Sequence, residues 1–465
     1  MENIQAGQVL TAVLGTLARG NEDISFSGIE LDSRKVKPGD LFIPLPGLRA
    51  DGHDFIAAAL KNGACGSLAL RTWEVPQDFP EDKVLILVDD VLRALQKLSA
   101  FYADLVQPEY RIGVTGSNGK TSTKDLIAAV LSQKFKVCKT LGNHNNEIGV
   151  PLTLFSLTSN DRAAVIEMGM RGLGEITELT DLVRPQIGVV TNVGQSHLEI
   201  LGTQANIAKA KGELIEALPE NGCAVLNGDD PYVRAMASRA ACPVIFYGLT
   251  DADVMAEEIK SRGEKGTEFM LVTPSGKIPV ALPLLGLHNV YNALAAAGTA
   301  VALQLDLALI KEGLEHPELT AMRLEILNLA DDIRVINDAY NASPLSMRSA
   351  LHILADLKRQ NSSPALAVLG NMYELGEDSA LMHYEVGRLA AELKIDHLLT
   401  VGDLAQDIAR GARENGLPPE AITVCGDLKE AESRLTMLLK PKSLILLKAS
   451  RSMELERLVA YLRER

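Results

Sequence analysis

The sequence predicts an α/β protein of three domains, and it does so on three observations. Two blocks of short apolar runs alternate with helical patterns, the rhythm of parallel sheets covered by helices on both faces. A stretch rich in turn signals interrupts the first block near its end, as antiparallel hairpins would. A glycine-lysine turn joins that block's first strand to its first helix, in the manner of a phosphate-binding loop. The expected divisions are residues 1–106, a small N-terminal α/β domain; 107–318, a central P-loop ATPase-type parallel sheet with a β annex; and 319–465, a C-terminal Rossmann-like doubly wound domain.

The elements follow in order. In the first domain, β-like runs stand at 24–31, 41–45, 67–70 and 84–88, and a helix is expected over 91–105. From Arg111, strand-like runs at 112–115, 163–167, 187–192 and 224–227 alternate with helical patterns. Residues 254–285 carry turn signals at Arg262-Gly263, Lys265-Gly266 and Pro274-Ser275-Gly276, which mark the hairpins of the annex. The last block has apolar runs at 333–336, 365–369, 398–401 and 444–447. Ligands of such sheets sit beyond the carboxyl ends of the strands. Polar clusters lie at those ends: 116–121, Glu167, 192–197, 337–343, 370–374 and 448–451. Two sheets facing each other across a cleft would bring them together.

Composition narrows the function. The 465 residues exceed one ordinary core, and 47% hydrophobic with 23% charged residues is a globular composition. A net charge of −14 argues against broad nucleic-acid binding and against attraction to anionic membranes. No nucleic-acid partner and no membrane insertion are expected, since the most apolar helix candidate, 284–305, carries His288, Asn289, Asn292 and Gln304. The N-terminus has no basic segment leading into an apolar core, so a cytoplasmic location is expected. Five scattered cysteines without a CxxC pair suit free thiols in a reducing compartment.

The turn itself reads Gly116-Ser-Asn-Gly-Lys-Thr121 after the apolar run 111–115. Thr115, Gly116, Ser117, Asn118 and Gly119 let the backbone wrap an anion, Lys120 supplies a point charge, and Thr121 can reach a metal ion. The spacing departs from the usual Walker pattern, because Val114 stands where its first glycine belongs. A dinucleotide fingerprint fits worse, since Val114 and Thr115 separate Gly113 from Gly116. Lys-Thr directly after the last glycine favours ATP or GTP.

Other candidates surround this turn. Glu167 ends a strand, where a carboxylate can hold the magnesium of a P-loop nucleotide or bond a helix N-terminus. His197, past the next strand, suits a second metal ligand or a solvated loop position. Lys209 and Lys211 are two apart on a helix, so only one can face the cleft. On spacing alone both read as solvated helix lysines. Asn289 and Asn292 share a helix face, from which amides can read a purine edge, and Asn289 can also serve as an N-cap.

Gly116–Thr121, Glu167-Met-Gly, His197 followed by Lys211, His288-Asn289 with Asn292, Arg323, and Asn337-Asp338 stand in the order that resembles the Mur ligase family, over nearly the whole chain. Within it, the stretches 140–151, 338–347 and 370–376 are similar to the branch that adds D-alanyl-D-alanine to UDP-N-acetylmuramoyl-tripeptide. The resemblance implies ATP and Mg2+ as cofactors, an acyl phosphate intermediate, and those two small molecules as partners. It implies Lys120, Glu167, His197 and Lys211 as catalytic, with Thr121, Glu167, His197 and Lys211 serving magnesium. Lys211 takes the family's place for a lysine carbamylated by CO2, which reverses the solvated reading for that residue alone. Asn289, Asn292, Arg323 and Asp338 would hold the nucleotide. The first domain would bind the UDP end, with Ser33 and Arg34 in one matching segment and 49–53 as another. Asn143, Asn145 and Asn146 would face the muramoyl peptide or phosphates, and Asn341, Ser343 and Asn371 the dipeptide. The branch often has Asn where Ser343 stands, and Lys-Gly-Ser-Arg-Gly where this chain has Lys448-Ala-Ser-Arg-Ser452. A monomer is expected.

Three other readings compete. A P-loop kinase or NTPase would need neither the first domain nor the cluster at 337–347. A folylpolyglutamate-type or other Mur ligase would share the nucleotide residues and differ in acceptor. A nucleotide-sensing scaffold would have no use for Lys120, Glu167, His197 and Lys211 together.

Overall fold

The computed structural model describes residues 1–47, 50–194 and 198–464. Its first sheet has five strands in the order Thr16–Arg19, Val84–Val88, Gly66–Leu70, Asp40–Phe42, Gly28–Glu30, parallel except at the Thr16–Arg19 edge. The run expected at 24–31 is two strands. Ser25–Phe26 pairs antiparallel with Ile4–Gln5, and Gly28–Glu30 runs parallel to Asp40–Phe42. The Thr16–Arg19 edge escapes the sequence because none of its residues is fully buried and no alternation marks it.

The helix Val91–Val106 starts where the Asp90 side chain accepts the Arg93 N–H, and it buries Leu95, Leu98 and Tyr102. Those side chains share one core with Val150, Leu154 and Phe155 of the next block, and the Tyr102 hydroxyl donates to the Leu157 carbonyl at 2.6 Å. The first block is thus packed onto the second through continuous apolar contact.

The second sheet has nine strands, and its parallel part runs Val137–Lys139, Ala163–Glu167, Tyr110–Thr115, Ile187–Val190, Cys223–Asn227, Val244–Gly248, Val254–Ser261. Thr267–Thr273 and Gly276–Leu282 continue it antiparallel. The annex is therefore an extension of the nucleotide-type sheet, joined where Val254 lies opposite Tyr247. Both faces are covered. Ala164 and Ile166 enter one core and Ala163 and Val165 the other, as the period-2 alternation of a central strand requires.

The third sheet has six strands in the order Glu325–Asn328, Arg334–Asn337, Leu444–Lys448, Ala365–Gly370, His397–Val401, Ile422–Cys425, parallel except for the first pair. Leu444 and Leu446 face one core, Ile445 and Leu447 the other. The hairpin turn Gly263–Lys265 of the second sheet reaches this block, where Arg334 ion-pairs with Glu264 and Asn361 donates to the same carboxylate at 3.2 Å. Among the described residues no helix is long and apolar enough to cross a membrane.

Candidate active site

The carboxyl ends of the second and third sheets face one cleft of about 1180 Å³. Ser117, Asn118, Gly119, Lys120 and Thr121 line it. Thr115 is buried behind them, its hydroxyl donating to the Met168 carbonyl at 2.9 Å. Gly116 and Gly119 have φ of +147° and +82°, and a Cβ on them would meet Thr191 Oγ1 at 1.8 Å and Asn292 Oδ1 at 2.5 Å. No side chain fits at either position. The helix Lys120–Leu131 begins at once, leaving the unpaired N–H groups of its first turn at the loop.

Residues just past the neighbouring strand Ile187–Val190 clamp the loop. Asn192 accepts the Asn118 N–H through Oδ1 at 3.0 Å and donates to the Asn118 carbonyl through Nδ2 at 3.0 Å. The Thr191 hydroxyl donates to the same carbonyl at 2.6 Å. Lys120 folds back, with Nζ 2.8 Å from the Gly116 carbonyl and 3.3 Å from that of Ser117. Burial pushes its ammonium below the ordinary lysine value, Glu167 opposes that shift, and Arg323 adds to it.

Glu167 is 2% exposed. Its Oε1 accepts from Asn145 Nδ2 at 2.8 Å, while its Oε2 is buried without a partner among the described residues. An orphaned carboxylate oxygen is costly and marks where a cation or donor arrives. The Thr121 hydroxyl is close to full burial and accepts from Arg323 Nη2 at 3.0 Å. One carboxylate and one hydroxyl fit magnesium, which takes few protein oxygens and completes its shell with water and phosphate. Among the described residues no three His, Cys, Asp or Glu side chains gather to hold a metal unaided. His197 lies outside the described residues.

Lys211, on the helix Gln204–Glu216, is 1% exposed, whereas Lys209 faces solvent. Among the described residues nothing pairs with the Lys211 ammonium; burial holds its pKa well below the ordinary value and the Lys120 charge lowers it further. A buried cation beside the half-buried charge of Lys120 calls for a shared anion.

Asn289 and Asn292 line the cleft from the helix Leu287–Ala302. Gly286 occupies the N-cap, so Asn289 does not cap. Its Nδ2 donates to the Leu285 carbonyl at 2.9 Å and its Oδ1 accepts from Asn292 Nδ2 at 2.9 Å. Asn292 Oδ1 accepts from the Thr123 hydroxyl at 3.1 Å, tying this helix to the one behind the phosphate loop. Asp338 pairs with buried Lys448 and accepts the Leu324 N–H at 3.3 Å. The Arg323 guanidinium lies over the Tyr340 ring, 4.0 Å from its centroid, with Nε buried and unpartnered among the described residues. His288, in the cleft wall, is pushed down to about 4, chiefly by burial, with the Asp338 charge opposing the shift and the Lys448 charge adding to it.

The remaining candidates divide. Ser343 caps the helix Pro344–Asn361, and its hydroxyl donates to Asn118 Oδ1 at 2.7 Å, so the third block touches the phosphate loop. Asn143, Asn146 and Asn341 line the cleft, although Asn146 also accepts the Gly149 N–H at 2.9 Å. Asn371 stays behind the lining; its Oδ1 accepts the Ala405 N–H at 2.9 Å and its Nδ2 donates to the Tyr373 hydroxyl at 3.0 Å. Ser33 and Arg34 lie in the first block away from the cleft lining, with Arg34 forked onto Asp32 at 2.7 and 2.8 Å. That fork holds the Asp32 carboxyl down at about 2. Lys211 is likewise outside the lining. Tyr340 escapes the sequence reading, its one signal being an aromatic inside the polar cluster 337–343.

A phosphate loop, an orphaned carboxylate and enclosed cations between two doubly wound sheets define a P-loop enzyme that gathers several anions. The chain matches the Mur ligase family, catalytic domain, over 25–103, the Mur ligase middle domain over 114–300, and the Mur ligase, glutamate ligase domain over 322–451. It is 39% identical to the UDP-N-acetylmuramoyl-tripeptide--D-alanyl-D-alanine ligase of Bacillus subtilis, over 96% of this chain and 95% of that protein. The crystal structure of MurF from Acinetobacter baumannii superposes with a TM-score of 0.90 at 32% identity, covering 100% of both chains. MurF ligase from Thermotoga maritima, solved in complex with ADP, gives 0.81 at 28% identity over 94% of this chain and 97% of that one. The chain belongs to the Mur ligase family and is an ATP-dependent ligase.

Proposed function

We propose that this ligase joins D-alanyl-D-alanine to UDP-N-acetylmuramoyl-tripeptide, the last cytoplasmic step in building the peptidoglycan pentapeptide precursor. The observation that carries the reading is near full-length likeness to ligases of that name. The charge pattern supports it: Lys120, Lys211 and Arg323 are enclosed cations in need of anions, beside a carboxylate in need of a cation.

The tripeptide's terminal carboxylate attacks the γ-phosphorus of ATP, the bond to the β-phosphate oxygen breaks, and ADP leaves. The resulting acyl phosphate turns a poor acyl donor into a good one. The amine of D-alanyl-D-alanine then attacks the carbonyl carbon, loses a proton, and expels phosphate. Lys120 would leave the Gly116 carbonyl for the phosphates, and Arg323, braced on Tyr340, would neutralise charge as it moves. Thr121, Glu167, His197 and Lys211 would hold magnesium, which when bound screens the repulsion between carboxylate and triphosphate. Asn145 would keep Glu167 oriented. Carbamylation of Lys211 would replace a buried cation by a carboxylate next to Lys120, removing their repulsion. Asn289, Asn292 and Asp338 would serve the nucleoside, Asn143 and Asn146 the muramoyl peptide, Ser33 and Arg34 the UDP end, and Asn341, Ser343 and the Asn371 loop, through Tyr373 at the lining, the dipeptide.

The same reading takes 1–106, 107–318 and 319–465 as the substrate, ATP and acceptor domains; each open sheet lies within one span. The same reading takes the protein as a monomer. The decisive assay is phosphate release: it should require ATP, UDP-muramoyl tripeptide and D-alanyl-D-alanine together. Strong turnover with a single amino acid in place of the dipeptide would move the chain to another branch.

A further inference from the structure

Building on this ligase reading, we propose that Asp125 is a positioning residue that, with Lys139, latches the segment joining the second and third blocks and thereby presents Arg323 to Thr121 and the nucleotide phosphates. Asp125 lies four residues after Thr121 on the helix Lys120–Leu131, on the same face and one turn away from the loop. It is 1% exposed and takes no part in the cleft lining. A carboxylate buried so deeply is costly unless it is paired, and its partners show what it holds.

Its Oδ1 pairs with Lys139 at 2.8 Å and Lys124 at 3.2 Å, and its Oδ2 accepts the Thr320 N–H at 2.8 Å. Lys139 Nζ also donates to the Glu318 carbonyl at 3.0 Å. The connecting segment is therefore gripped at Glu318 and Thr320 by groups of the second sheet and its helix. Three residues on, Arg323 reaches Thr121 at 3.0 Å. Asp125 and Thr121 are about 6 Å apart along the helix axis, while three extended residues span up to about 10 Å. The segment has slack, and Met322 and Leu324 absorb it with φ of +62° and +53°. Non-glycine residues persist in that left-handed region only where their surroundings over-determine them. Arg323 sits between them, fixed by the Asp125 latch on one side and by Asp338 accepting the Leu324 N–H on the other.

The test is the affinity of a non-hydrolysable ATP analogue with magnesium. Asp125→Asn should weaken it about tenfold, the worth of a charge-assisted hydrogen bond, and leave the KM for UDP-muramoyl tripeptide unchanged. In an Arg323→Ala background the same substitution should change affinity by less than about twofold, because its effect runs through that guanidinium. Additive losses, or wild-type affinity in a folded Asp125→Asn variant, would overturn the latch. Should that variant fail to fold, Lys139→Gln keeps Asp125 paired with Lys124, and unchanged analogue affinity there overturns the latch equally. Analogue binding needs no amide formation, so a wild-type protein that binds it without making amide loses the ligase reading alone.

Discussion

The two walls of the cleft treat their polar atoms in opposite ways. Around the phosphate loop, among the described residues, Glu167 Oε2 and Arg323 Nε are buried without partners, and Lys211 is a buried cation with none. Across from it, Asp338 and Lys448 neutralise each other, Ser343 caps a helix, and both ends of the Asn371 amide are engaged. Burial without pairing is costly and persists where a ligand completes the arrangement. Burial with pairing is how the chain holds itself. The contrast separates groups whose charge or hydrogen bonds await a ligand from groups that the protein already answers, Ser343 and Asp338 among them.

The sharpest attack on that contrast is Lys211→Ala. On the unpaired side it should cut turnover by about 10²–10³, and added acetate or formate should restore part of the activity by standing in for a carbamate. Wild-type rates would remove Lys211 from the mechanism. On the paired side, Asn371→Ala should cost about 1–3 kcal/mol of stability, the toll of stranding the buried groups it serves, with kcat changed by less than about threefold. A raised KM for D-alanyl-D-alanine without loss of melting temperature would make Asn371 a substrate contact and blur the two walls. The smallest effect concerns pH. His288 is held near 4, below the 6.5 of a free imidazole, so the unfolded chain takes up a proton before the folded one. Stability is then intact above pH 6.5 and declines as pH falls toward about 4. His288→Gln should flatten the melting-temperature profile over that window, and an unchanged profile would free His288 of the role.

Much of this architecture was legible in the chain, for physical reasons. Central strands such as 163–167 and 444–447 are buried on both faces and therefore read as unbroken apolar runs. The edges Thr16–Arg19, Glu325–Asn328 and Ile422–Cys425 are half-wet and left no such trace. Gly116, Gly119 and Lys120 were readable because anion binding restricts backbone and charge locally. Lys211 was not, since burial depends on packing against groups distant in sequence; only family resemblance singled it out. Asn371 and Ser343 stood at the right strand ends, yet whether an amide or hydroxyl faces a ligand or its own backbone is settled by tertiary partners. Tyr340 and Asp125 act through contacts nearly twenty to two hundred residues away, beyond any local pattern.

The ion pair between Arg334 and Glu264 ties the third block to the far edge of the same sheet that carries the phosphate loop. A swing of that block has to rupture it at a place remote from the chemistry. Its side chains are 17% and 32% exposed, so mobile ions reach it, with a Debye length of about 8 Å at physiological strength. Raised ionic strength is therefore expected to weaken this tie between the two blocks at concentrations that leave the enclosed charges of Lys120 and Glu167 largely unscreened.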